Sequence, residues 1–92
     1  MRFVWTEPAI EDLNRVYEFL ISVNQPAAER VVQTLVSAPV NLVTNPQSGA
    51  YLSEFEPREV RRLILGNYEL RYELKDEIVH ILRVWHTREN RE

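Results

Sequence analysis

Residues 58 to 88, REVRRLILGNYELRYELKDEIVHILRVWHTR, are the stretch whose reading decides the fold. Tyr68, Leu70, Tyr72 and Leu74 alternate with Glu69, Arg71, Glu73 and Lys75, the period-2 signature of a half-buried strand. Upstream, Val60 to Leu65 runs into Gly66-Asn67, and glycine at the first central position suits a two-residue hairpin turn because it accepts positive φ. Downstream, Ile78 to Trp85 is apolar at most positions, as expected of a strand covered on both faces. The stretch predicts a three-strand meander.

Working outward, Arg2-Phe3-Val4-Trp5 predicts an opening strand, with Thr6 as the N-cap of a helix that tolerates Pro8 in its first turn. Ala9, Ile10, Leu13, Val16, Tyr17, Leu20 and Ile21 recur at helical spacing, with Glu11, Asp12, Asn14, Arg15 and Glu18 assigned to the solvent side. After a short link, Asn24 caps a second helix whose stripe is Ala28, Val31, Val32, Leu35, Ala38 and Leu42. A link this short implies an antiparallel helical hairpin. Pro39 predicts a kink or break, since an interior proline costs about 3 kcal/mol. Thr44 to Gly49 is turn chemistry, and Ala50 to Pro57 reads as a loop crossing back to the sheet.

The 92 residues make one domain spanning 1–92 with a modest core. A chain 45% hydrophobic and 27% charged is of the globular type rather than the disordered one. The absence of cysteine excludes disulfides and thiolate chemistry and fits a reducing cytoplasm, and no apolar run approaches a membrane span of ~18 residues. Nothing calls for a cofactor or a metal. The net charge of −3 gives no general case for nucleic-acid binding, but eight of the 11 Lys and Arg lie at or beyond Arg58, so any basic surface belongs to the meander.

The anchor residues are Trp5, Pro8-Ala9, Asp12-Leu13, Ala27-Ala28, Leu42, Pro46, Gly49, Arg62-Leu63, Tyr68-Glu69-Leu70-Arg71-Tyr72 and Leu82 to Arg88. In that order they resemble the RelE/ParE superfamily of bacterial toxins over nearly the full length. The resemblance implies an α+β fold with an N-terminal strand, a helical hairpin and a three-strand antiparallel meander. It also implies a toxin of a type II toxin–antitoxin system of plasmid-stabilisation type, neutralised by a cognate ParD-like antitoxin, with a dimer or a heterotetramer among the assemblies to test. RelE-like members cut mRNA on the ribosome, whereas ParE-like members block DNA gyrase without known chemistry.

Metal-free RNA cleavage needs a base, an acid and cations on the phosphate. Where the resemblance calls for an arginine in the middle strand, this chain has Glu69, and no tyrosine follows the last strand. An endonuclease would therefore rest on Arg62, His86 and Arg88; the reversed charge favours the gyrase-binding branch, and an inactive antitoxin-binding member is the third reading. Arg58, Arg61, Arg62, Arg71, Arg83, His86 and Arg88 are the candidates for contact with a target or partner. Arg83, in an apolar strand, calls for an ion pair with Glu69, Glu73 or Glu56. His86 has a local alternative, closing its strand through a hydrogen bond, and His80 and Trp85 read as packed. Arg88 and Arg91 are expected to be exposed. Val16, Leu20, Val31 and Leu35 are the antitoxin-binding candidates, on the premise of an apolar groove along the helices and a strand added at a free edge.

Overall fold

The alternation from Tyr68 to Lys75 forms a central strand in the computed structural model, which describes residues 1–88. Arg91 lies outside the described residues. The elements are β1 (Arg2–Trp5), α1 (Glu7–Ile21), α2 (Gln25–Thr44), β2 (Ala50–Tyr51), β3 (Glu59–Leu65), β4 (Tyr68–Lys75) and β5 (Ile78–His86). The strands form one sheet in the order β1-β5-β4-β3-β2, with the expected antiparallel meander at its centre.

Two features depart from the sequence reading. β1 pairs with β5 in parallel, so the sheet is mixed. The segment 50–57 is no simple loop: it contributes the short strand β2 and a 3-10 turn, Ser53–Phe55. A two-residue strand is too short to display a periodicity.

The turns follow from backbone chemistry. Gly66 takes φ +62° between the paired Leu65 and Tyr68. The β4–β5 turn places Asp76 and Glu77 at φ 56° and 60°, the pattern of a type I′ turn built without glycine. Thr6 and Asn24 cap the two helices by accepting from the Ala9 and Ala27 N–H groups. The expected break at Pro39 does not occur, and α2 continues to Thr44. Leu35, Ala38, Pro39 and Leu42 are all buried, and this packing on both sides of the proline overrides its poor propensity.

The core joins Ala9 and Val16 of α1 and Leu35, Ala38 and Leu42 of α2 to Leu70, Tyr72, Val79, Ile81 and Val84 of the sheet. Tyr72 closes it at one end. Its buried hydroxyl donates to the Pro46 carbonyl at 2.7 Å and accepts from the Gly49 N–H at 2.9 Å. A Cβ on Gly49 would come within 2.7 Å of both that hydroxyl and the Arg62 carbonyl oxygen, which explains the glycine.

α1 is rotated relative to the sequence reading. Ile10 and Ile21 are exposed, whereas Asp12 is buried in the stripe between Ala9 and Val16. The cause is the unequal length of the neighbouring strands. β1 covers β5 only from Ile78 to Ile81, leaving the rest of that edge of β5 without a strand. Thr6 meets the first orphan carbonyl: its N–H and hydroxyl both donate to the Ile81 oxygen, at 3.1 and 2.7 Å. Asp12 Oδ2 then accepts the Val84 N–H at 2.9 Å. Arg83 binds the same carboxylate through Nε and Nη2 at 2.7 and 3.1 Å, and Arg15 through Nη1 at 2.9 Å.

Arg83 is thus paired, as its place in an apolar strand requires, but with Asp12 rather than Glu69, Glu73 or Glu56. A β-bulge contributes. Arg71 pairs with Arg83 while Tyr72 pairs with Ile81, so Leu82 has no partner on β4, and the inward positions switch from Val79 and Ile81 to Val84.

Asp12→Ala leaves the Val84 N–H buried without an acceptor and should lower stability by about 2–3 kcal/mol. Asp12→Asn, which keeps an oxygen for that N–H, should cost less, and Arg15→Ala, a half-exposed partner, less than about 1 kcal/mol. Urea denaturation of the three variants measures the order.

Candidate functional site

Strand alternation divides the arginines and histidines of the meander between two faces. Tyr68, Leu70 and Tyr72 point to the helices, as does His86, which pairs directly with Tyr68. Glu69, Arg71 and Glu73 point to the opposite side, with their cross-strand neighbours Arg62, Trp85 and Arg83.

No α-helix among the described residues covers that opposite side, and its own side chains form a thin second layer. Val60 and Trp85 are buried there without joining the main core. The Arg71 guanidinium lies 4.9 Å from the Trp85 ring centre and 5.4 Å from that of Phe55, on the 3-10 turn. Arg83 and Arg58 extend the stack, at 5.4 Å from Trp85 and 6.0 Å from Phe55. Carboxylates lie among these cations. Arg58 grips Glu73 with two bonds, at 3.0 and 2.9 Å. Glu69, almost wholly buried, accepts from Arg71 at 3.0 Å and lies 3.8 Å from Arg62.

These contacts sort the seven candidate contact residues. Arg58, Arg71 and Arg83 are tied to Glu73, Glu69 and Asp12. Arg61 is on the helix side, bound to Glu59 at 2.9 Å and to the Gly49 carbonyl at 2.8 Å, with its guanidinium 5.4 Å from the Tyr51 ring, so it braces the 46–51 segment. Arg62, 45% exposed in its side chain, has among the described residues the long contact to Glu69. Beside it on β3, Ile64 is exposed.

His86 and Arg88 belong to a different place. With Arg15, Val16, Phe19 and Tyr68 they line a cleft of about 450 Å³ between the second half of α1 and the end of β5. The His86 ring stands edge-on to Tyr68 at 5.2 Å. Its Nδ1 accepts the Arg88 N–H at 3.0 Å, which leaves the ring proton of the neutral form on Nε2. The strand-closing role foreseen for His86 is therefore present. His80 is half-buried, with Nε2 3.3 Å from the Lys75 carbonyl oxygen.

The antitoxin candidates divide as well. Leu20 and Val31 are half-buried, but Leu35 is in the core, and Val16, also buried, reaches only the edge of the cleft. Val16 and Leu35 are buried because positions at the centre of an apolar stripe are those the fold itself packs. The exposed apolar residues are others, including Phe19, Val23 and Val40. Phe19 lies three residues after Val16, so the cleft could have been suspected from an apolar residue just outside the stripe. Asp12 could have been suspected from a carboxylate inside it.

Two carboxylates titrate abnormally. Burial works to raise the pKa of Asp12, but the bonds from Arg83, the Val84 N–H and Arg15 outweigh it and hold the pKa below its ordinary 3.8. The two bonds from Arg58 hold Glu73 below its ordinary 4.5 against a smaller opposing effect of burial. The Tyr72 hydroxyl is raised, mainly by burial.

The model of the family described as the ParE toxin of the type II toxin–antitoxin system parDE matches residues 3–91. The chain belongs to this family. A relative named Toxin RelE2, from Caulobacter vibrioides, is 31% identical over 83 residues, 90% of this chain and 91% of that protein. Among solved structures, a chain of the chromosomal ParDE toxin–antitoxin system from P. aeruginosa superposes with a TM-score of 0.77 at 27% identity, covering 94% of this chain and 95% of that one. This ParE-family chain is therefore a toxin of the type II class with the α+β fold of the RelE/ParE superfamily. No helix among the described residues is long and apolar enough to cross a membrane.

Both depressed carboxylates contribute stability that is present above their unfolded pKa values and lost as pH falls through the lower folded ones. Stability should thus hold above the ordinary carboxylate range and decline as pH falls below it. Glu73→Gln should lower stability at pH 7 and flatten that decline, which urea midpoints across the range will show.

Proposed function

We propose that this ParE-family toxin acts by binding DNA gyrase, without chemistry of its own, and that a cognate ParD-like antitoxin neutralises it. The observation that carries this reading is the sidedness of the sheet. His86, the candidate acid or base, is on the helix side, and Arg62, the candidate phosphate cation, is on the other. One phosphodiester cannot reach both groups at hydrogen-bond distance across the thickness of a strand. The cleft around His86 does contain Arg88 and Arg15, but its walls also include Val16, Phe19 and Tyr68, and Arg15 is bound to Asp12. The hydrocarbon part of that lining is a poor seat for a phosphate, which would lose hydration against it.

The gyrase contact we assign is the exposed outer face of β3, centred on Arg62 and Ile64. Most of the other cations on that side are held by carboxylates, whereas Arg62 is half exposed and close to an apolar side chain, the pairing that protein interfaces favour.

In cells expressing the toxin without antitoxin, DNA synthesis should stop before protein synthesis, with an SOS response. Purified toxin should inhibit gyrase supercoiling, and Arg62→Glu should raise the concentration needed by about tenfold or more. Rapid translation arrest with cut transcripts and unimpaired gyrase would establish the RelE-like endonuclease reading instead. Absence of any growth defect, with the antitoxin still bound, would identify an inactive antitoxin-binding member.

A further inference from the structure

We infer that two copies of this chain associate through the outer side of α2, about a two-fold axis that sets Ser37 of one copy against Asn41 of the other. The inference goes beyond the gyrase and antitoxin readings and depends on neither. From Val31 to Ser53 the sequence has no Asp, Glu, Lys, Arg or His, in a chain that is 27% charged. The outer face of a surface helix ordinarily includes charged residues. Here Gln33, Ser37, Val40, Asn41 and Thr44 are exposed, Val40 to 60%, so α2 turns an uncharged side outward from Gln33 to Thr44.

That side borders a groove. β2 pairs with β3 only at Arg61 and Arg62, and among the described residues no strand lies outside Leu63 to Leu65. Between that open edge and α2 is a hollow of about 520 Å³, with Thr34, Ser37, Ala38 and Asn41 on one wall and the half-buried Leu63 and Leu65 on the other. None of the described residues lining it is charged. Covering this surface costs little desolvation. Thr34 and Ser37 already donate their hydroxyls to the Arg30 and Gln33 carbonyls of their own helix, at 3.0 and 2.7 Å, and Gln33 Nε2 donates to Ser37 Oγ at 3.1 Å. Donors engaged in this way can be buried without being stranded, and no ion loses its water.

A charged partner surface would lose hydration here and meet no counter-ion. That sets aside a nucleic acid and any strongly acidic or basic protein face. A second copy brings an uncharged surface of the same kind. Each copy has a net charge of −3, and a contact through the uncharged sides keeps those charges out of the interface. With Ser37 opposite Asn41 of the second copy, Thr34 comes opposite Thr44 of the second copy, and Arg30 opposite the turn that follows the second copy's α2, so no like charges meet. The strip from Gln33 to Thr44 is about 17 Å long. A contact of that length falls short of the ~800 Å² per partner of a standard interface, so the dimer should be weak, with a Kd on the order of 10 μM.

The test is sedimentation velocity on the full chain freed of antitoxin, over concentrations that bracket that value. A monomer–dimer equilibrium should appear, and raising salt should not weaken it, because no ion pair crosses the contact. Ser37→Arg and Asn41→Glu, both at exposed positions, should each raise the dissociation constant by at least about tenfold by setting an uncompensated charge against the second copy. An equimolar mixture of the two variants should regain the dimer, since the introduced charges then oppose each other with opposite sign, and that mixed dimer, unlike the parent, should weaken as salt is raised. Circular dichroism melts establish that both variants are folded. The inference is overturned if the parent is a monomer at every concentration, if both variants dimerise as the parent does, or if the mixture stays monomeric. A monomeric parent whose two variants lose the antitoxin, or lose gyrase, also overturns it and assigns this side of α2 to that partner.

Discussion

The arrangement of this domain depends on how an incomplete sheet edge is satisfied. β5 has nine residues and its neighbour β1 only four, so the second half of one edge of β5 presents backbone groups with no strand to meet them. A buried N–H left without an acceptor costs roughly as much as a sizeable core truncation. The chain meets the demand with Thr6 and Asp12, both carried into place by the helix that follows β1. Once Asp12 must face β5, the rotation of α1 is set, and with it the identity of the buried stripe. Arg83 and Arg15 then answer the buried carboxylate. Because α1 rather than a strand follows the second half of β5, a cleft remains between the helix and the strand end, so the constraint that organises the fold also shapes a concavity there.

The second organising fact is that, among the described residues, both α-helices lie on one side of the sheet. A five-stranded sheet needs cover on both sides if its outer positions are apolar, and here the other side is covered by arginines lying on aromatic rings, with two carboxylates beneath. Arginine suits this task because its planar, weakly hydrated guanidinium can stack on a ring while bonding a carboxylate in its own plane. Pairs of this kind are not strong sources of stability, since desolvation offsets much of the attraction. They do specify position. Removing one member leaves a buried charge of the other sign, so the layer tolerates little rearrangement. A basic count taken from the sequence therefore overstates the cationic surface, because most of these arginines serve the fold.

How much of this was legible beforehand follows the physics of each element. The meander was legible because alternation over Tyr68 to Lys75 and the Gly66 turn are local signals. The helices were legible from spacing and caps, although their rotation was not, because periodicity fixes a stripe only to within the arc that apolar residues share. Asp12 was assigned to solvent for that reason: a carboxylate reads as polar until the strand edge it serves is known. β2 was illegible because two residues carry no period. Of the kink or break expected at Pro39, the break does not occur, because tertiary packing outweighs a local penalty. At the functional level, Arg62 and Arg88 belonged to a single list of candidates, and only the parity of the strands and the line of the cleft put them on opposite sides.

That separation bears on what kind of toxin the fold can support. An enzyme acting on RNA must gather its acid, base and cations within a few ångströms of one phosphate, and it gains most from charges left uncompensated until substrate arrives. Here Glu69 stands at the centre of the sheet face where a cation would be most useful, and its neighbours are arranged around it. The carboxylate is nearly inaccessible, so it cannot simply move aside for a phosphate. A protein that binds another protein faces no such demand. It needs shape, a few exposed apolar side chains and a cation at the rim, and it can place them on separate surfaces for separate partners. On the proposed reading, Arg62 with Ile64 meets that lesser requirement without disturbing the charge pairs that hold the sheet. On the reading proposed above, it is this lesser requirement of a protein binder, rather than the gathered groups of a nuclease, that the sheet face around Arg62 serves.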